Sequence, residues 1–193
     1  IIAGMDSFNP CAFFVLLFLL SLMVHARSRT RMLLIGSTFV GISALIYFLF
    51  MAAWLNLFMM IGAVPTITLI AGMVAIIIGI INAKDYFLFR QGPSLSIPES
   101  AKPSLYRRMR NLLKADNIST MLLGTATLAV AANSYELLCT AGFPMVYTRL
   151  LTLSEPSSLQ HYAYLVLYNL IYVIPLMIIV IVFSYTLGAY KLT

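Results

Sequence analysis

Charge is scarce in this chain: Asp, Glu, Lys and Arg together make up 9% of its 193 residues, against 62% hydrophobic ones. So little polar surface cannot cover so much apolar volume, which excludes a water-soluble domain and makes a bilayer the expected solvent. The mean hydropathy of +0.98 points the same way. Cysteine is scarcer still, with two residues and no Cys-x-x-Cys, and no His or Cys spacing suggests zinc. Nothing resembles a phosphate-binding loop or a serine triad. Strict alternation of apolar and polar residues is also missing. The apolar runs are continuous, which excludes a β-barrel and leaves helices.

What is present is a series of long apolar runs. A helix rising 1.5 Å per residue needs about 20 residues to cross a hydrocarbon layer of about 30 Å. Five stretches qualify: 1–24, 32–54, 61–83, 118–151 and 162–190. The interval 32–83 holds no Lys, Arg, Asp or Glu at all. The net charge of +6 is no signature of nucleic acid, because its placement follows topology. Of the twelve Lys and Arg residues, all but Arg149 lie on alternate connections: Arg27, Arg29 and Arg31, the group from Lys84 to Lys114, and Lys191. Those connections share one face, cytoplasmic by the positive-inside bias, so the N-terminus and the connections near Asn56 and Glu155 face outward. His25 and His161 then fall on opposite faces, and no shared metal site is expected. The expected protein is an all-α, multi-pass protein of the cell (inner) membrane whose first partner is the lipid bilayer.

Residues 84–117 break the apolar pattern. Pro93, Pro98 and Pro103 mark a loop, whereas Leu105, Met109, Leu112 and Leu113 recur at helical spacing opposite Arg107, Arg108 and Arg110, which predicts a short interfacial helix. This basic segment divides the chain into residues 1–83, with three spans, and 118–193, with two.

The two halves are alike around their cysteines. Small residues precede Cys11 and Cys139, about 13 residues of helix follow each, and then come a short polar connection and a fresh apolar span. Two units of three spans would start in opposite directions, forming an inverted three-plus-three repeat. The second unit lacks its third helix, and a sixth span is expected beyond Thr193. The chain opens on Ile with no signal-like region and stops soon after the fifth span, so both ends are expected to be cut. About 13 helical residues cover roughly 20 Å, which places both sulfurs near mid-membrane. Pro10 has no amide hydrogen and biases Asn9 away from helix, and Gly142 and Pro144 follow Cys139, so breaks are expected beside both cysteines. Irregular backbone survives in a membrane only where protein or water satisfies it, which makes such a break a candidate site.

Ionisable groups inside spans are costly unless paired or hydrated. Glu136 precedes Cys139 by nearly one helical turn and could exchange the thiol proton; the blander role is a hydrogen bond to Asn133 or Tyr135. Asp6 shortly precedes Cys11 and could serve likewise or cap a half-helix. Arg149 could pair with Glu155 at the outer interface. Asn169 and Pro175 suit a cavity lining or interhelical packing. The eleven tyrosines and Trp54 are assigned mostly to interfaces and packing.

The segments Ala3-Gly4-Met5-Asp6-Ser7-Phe8-Asn9-Pro10-Cys11 and Asn133-Ser134-Tyr135-Glu136-Leu137-Leu138-Cys139-Thr140-Ala141-Gly142-Phe143-Pro144 resemble those of the CcdA/DsbD family, the cytochrome c biogenesis and thiol-disulfide interchange transmembrane proteins. The resemblance implies six helices in an inverted repeat, with Cys11 and Cys139 as a redox pair and Pro10 and Pro144 opening the helices around them. It implies electron transfer from cytoplasmic thioredoxin to an extracytoplasmic thioredoxin-like acceptor, with no cofactor beyond the cysteine pair. Leu138 departs from the pattern, since many members carry proline immediately before both cysteines. The competing expectation is a small-solute or ion exporter of related architecture, in which Glu136, Asp6 and Asn169 work and the cysteines are incidental.

Overall fold

The computed structural model describes residues 1–7, 16, 17, 20, 29–62, 64–87, 92–95, 100–113, 117–154 and 158–186. Among these the regular structure is entirely helical. In chain order the helices are α1 (Ile2–Asp6), α2 (Arg29–Ile61), α3 (Pro65–Phe87), α4 (Lys102–Leu113), α5 (Ile118–Thr140), α6 (Gly142–Leu153) and α7 (Ser158–Thr186). Four of them, α2, α3, α5 and α7, are long and apolar enough to cross a membrane. Most of the first expected span, including Pro10 and Cys11, lies outside the described residues.

Cross-helix contacts define the directions. Gly36 abuts Val180, Tyr47 stacks on Tyr172, and Asn56 donates to the Tyr162 hydroxyl, so α2 and α7 run antiparallel. Asn133 donates to Ser43 two-fifths of the way along α2, and Glu136 meets Tyr172 at the level of Tyr47, so α5 runs parallel to α2. On α3 the partners descend in the opposite sense, with Thr68 on Arg149, Ala75 against Gly142 and Asn82 on Cys139. Helix α2 is thus the central pillar, packed on α5, α6 and α7.

The distribution of polarity is inverted relative to a protein in water. Ser43, Thr125, Asn133, Glu136, Thr148, Arg149 and Asn169 are buried, while Leu69, Ile76, Ile77 and Ile80 on α3 and Leu170, Ile174, Ile178 and Val182 on α7 are exposed. Water would penalise that exterior, and hydrocarbon would not. Buried residues of α2 recur every three or four positions, from Met32 through Phe39, Ser43, Tyr47, Met51 and Leu55 to Phe58, which is one face of a 3.6-residue helix.

Helix α4 forms where the sequence predicted an interfacial helix. Leu105 and Met109 pack into the core against α5, and Arg107, Arg108 and Arg110 are exposed on the other side. The turn between α2 and α3 uses Gly62 at φ +73, a left-handed conformation that glycine adopts without strain. In the expected span 118–151 the chain instead makes two helices, separated at Ala141. Pro144 explains part of this. It has no amide hydrogen, so the Thr140 carbonyl has no i+4 donor, and proline is tolerated in the first turn of the new helix.

Candidate functional site

A polar cluster sits where α1, α2, α5 and α7 meet. Tyr47 on α2 follows Ser43 by four residues, and Tyr172 on α7 follows Tyr168 by four, so each pair projects from one helix face. Those faces turn inward, where their hydroxyls can donate to the carboxyls opposite. The Tyr47 hydroxyl donates to Asp6 Oδ2, and the Tyr168 hydroxyl donates to the same oxygen at 2.8 Å. The Tyr172 hydroxyl donates to Glu136 Oε1. The two carboxyl sites are joined through their tyrosines, because the Tyr47 and Tyr172 rings stack with centroids 4.5 Å apart and planes 10° from parallel. Beside them, Asn133 Nδ2 donates to Ser43 Oγ and to the Ala129 carbonyl, each at 2.7 Å. Asp6 is 1% exposed and Glu136 2%. The second Asp6 oxygen, Oδ1, and Asn133 Oδ1 are buried with no hydrogen-bond partner among the described groups.

Asp6 and Glu136 are therefore brought to one level of the bundle from distant parts of the chain. The expectation that Glu136 would bond to a neighbour on its own helix missed Tyr172, which reaches it from α7. Tyr47, Tyr168 and Tyr172 do pack in the core, as most tyrosines were expected to pack there or sit at interfaces, but that assignment did not foresee their hydroxyls donating to the two carboxyls. The signal that was present is the pairing rule itself: a carboxyl in an apolar span requires a donor, and a chain with few cations supplies tyrosine hydroxyls instead.

Cys139 lies on α5 one turn beyond Glu136 and is buried, two residues before the change of helix at Ala141. Its thiol points at the Leu95 carbonyl, 2.7 Å away, and its own carbonyl accepts from Asn82 Nδ2 at 2.6 Å. Pro144 is buried in the first turn of α6. Cys11 and Pro10 fall outside the described residues, so the geometry concerns one member of the expected pair.

The expected partner of Arg149, Glu155, lies outside the described residues; the contacts described for Arg149 are at the α2–α3 turn. Arg149 is 3% exposed, and its Nη1 and Nη2 donate to the carbonyls of Gly62 and Val64 at 2.9 and 3.1 Å. Nε and Nη2 also reach Thr68 Oγ1 at 2.9 and 2.7 Å, and the guanidinium carbon lies 5.3 Å from the Phe58 ring centroid. A planar fork with five N–H groups satisfies several neutral acceptors at once, which makes this residue a clamp on the α2–α3 turn. Asn169 packs between helices, with Nδ2 on the Leu165 carbonyl and Met51 Sδ. Among the described residues no three His, Cys, Asp or Glu side chains gather to hold a metal ion.

Among the described residues, fold and cluster define an all-helical protein with four helices suited to a membrane and a tyrosine–carboxyl cluster buried among α1, α2, α5 and α7. No family model, curated protein or solved structure matches the chain.

Proposed function

We propose that this protein passes reducing equivalents across the cell membrane by thiol-disulfide exchange, using Cys11 and Cys139 as a redox pair. The observation that carries the reading is the placement of Cys139: its thiol is buried in the bundle, one helical turn from a buried carboxyl, where one helix gives way to the next. A thiolate of a cytoplasmic thioredoxin-like donor attacks one sulfur of the oxidised pair, forming a mixed disulfide and releasing the other cysteine as a thiolate. The donor's second sulfur then attacks the mixed disulfide and leaves oxidised, with two electrons now on the pair. The released sulfurs take up the two protons that the donor gave up, with Glu136, three residues before Cys139, as the group that hands one to it in this reading. An outer thioredoxin-like acceptor is reduced by the same steps in reverse.

The arrangement of carboxyls and tyrosines supports the inverted repeat on which this traffic depends. In each half a carboxyl from the first helical region, Asp6 or Glu136, accepts from a tyrosine of the next long helix, Tyr47 or Tyr172. Those two helices run antiparallel and their tyrosines stack on each other, as two units related by an in-plane axis would require.

Replacing either cysteine by serine is expected to abolish transfer and to trap mixed disulfides at the one that remains. Full transfer in Cys11→Ser or Cys139→Ser would overturn the reading. A second reading, export of an ion or small solute, is favoured by the burial of both Asp6 and Glu136 at one level. Alkylation of the thiols before and after exposure to reduced thioredoxin separates the two, since an exporter leaves both cysteines in one oxidation state.

A further inference from the structure

Residues 92–95 belong to the connection between α3 and α4, yet they lie against the bundle and over Cys139. Polar contacts hold them there. Lys84 Nζ donates to the Pro93 carbonyl at 2.8 Å, Ser94 Oγ donates to Asp85 Oδ2 at 2.6 Å, and the Cys139 thiol points at the Leu95 carbonyl. Lys84 and Asp85 are themselves ion-paired at the end of α3. Gly92 begins the segment at φ +75, a left-handed conformation that lets the chain turn sharply without a side-chain clash. Asn82, one turn before Asp85, donates to the backbone of Cys139, so the anchor of this segment and the thiol it covers are parts of one contact region.

We infer that residues 92–95 form a strap that closes the approach to the Cys139 sulfur from the α3–α4 side of the bundle, and that it must leave before any partner can react there. Thiol-disulfide exchange needs three sulfurs nearly in line, so a backbone carbonyl within 2.7 Å of Sγ occupies the space an incoming sulfur would need. The contacts described for the strap at the end of α3 are polar, which suits a segment that opens and closes: such contacts are exchanged for water at small net cost. Closed, it keeps the reduced thiol from oxidants and stray disulfides. Its purpose as a gate for electron transfer rests on the redox reading, whereas its control of access to Cys139 does not.

The test uses the full chain in lipid vesicles with Cys11→Ser, which leaves Cys139 as the one thiol, and follows alkylation by a water-soluble maleimide. Adding Ser94→Ala and Asp85→Ala, which removes the Ser94–Asp85 bond and the Lys84–Asp85 ion pair, is expected to raise the labelling rate by roughly tenfold or more, since one charge-assisted hydrogen bond alone corresponds to about that factor. Hydrogen exchange of α5 around Cys139 is measured on the same samples and is expected to stay unchanged. Equal labelling rates would overturn the strap, and so would faster labelling accompanied by faster exchange in α5, which means that the bundle itself has opened. Faster labelling in a protein whose two-cysteine form transfers no electrons keeps the strap and removes the redox reading. Unchanged labelling with intact transfer does the reverse.

Discussion

Tyr47 and Tyr172 lie face to face, with centroids 4.5 Å apart, and each hydroxyl donates to a different buried carboxyl, Asp6 for the first and Glu136 for the second. Offset aromatic pairs contribute about 0.5–1.5 kcal/mol beyond the area they bury. The larger consequence is positional. Because the rings share one stack, a shift of either carboxyl is felt by the other, and four helical segments from both ends of the chain are held in register at one depth.

Tyr172→Phe removes the hydroxyl and keeps the ring, so the stack survives while Glu136 loses a donor. The expected loss of stability is about 1–3 kcal/mol, the range for removing one hydrogen bond to a buried carboxyl. In a double-mutant cycle with Glu136→Gln the two changes are expected to be coupled by about 1 kcal/mol or more. Reversible unfolding in mixed detergent measures all four corners, and strict additivity would show that the two side chains do not act together.

Among the described residues Arg149 donates to neutral groups, the Gly62 and Val64 carbonyls and the Thr68 hydroxyl, and its substitution separates geometry from charge. Arg149→Ala is expected to destabilise the fold by about 2–4 kcal/mol, since it strips a donor from the carbonyls of the α2–α3 turn and leaves a cavity beside Phe58. Arg149→Lys should recover less than half of that loss, because a single ammonium cannot reproduce the fork. Faster hydrogen exchange between residues 58 and 68 is the local signature; a turn as well protected as in the parent would contradict the clamp.

Gly36 lies under Val180, where an added Cβ would come 2.5 Å from Val180 Cγ1. Alanine gains about 1 kcal/mol over glycine in helix propensity, and overpacking costs about 1–3 kcal/mol, with the stiff β-branched neighbour favouring the larger figure. Gly36→Ala is therefore expected to destabilise the protein, and Val180→Ala added to it to restore part of the loss. Thermal unfolding of the two single variants and the double variant decides the matter: a Gly36→Ala protein more stable than its parent would mean that α2 and α7 separate easily here.

The four long helices were legible because length and composition suffice for a segment that must satisfy its own backbone hydrogen bonds in hydrocarbon. Helix α4 was legible for a different reason, since Leu105 and Met109 stand out at helical spacing against arginines. Within the long helices that contrast is missing. Nearly every residue of α2 is apolar, so hydropathy cannot say that Tyr47 and Met51 face inward while Leu45 and Leu49 face out. Polar exceptions such as Ser43, Asn133 and Glu136 marked the inward face but not what they meet there.

The scarcity of charge and the unbroken apolar runs determined, from the sequence alone, that this chain is helical and suited to a bilayer, and that a carboxyl within a span must find a donor. Which donor it finds, the tertiary structure decided. Tyr172 lies 36 positions from Glu136 and Tyr168 lies 162 from Asp6. The hydroxyl of a tyrosine reads alike in every span, and only the antiparallel packing of α7 on α2 turns these three hydroxyls toward the two acids. The same holds for Leu95 and Cys139, 44 positions apart, whose contact residue chemistry permits and only the packed helices impose.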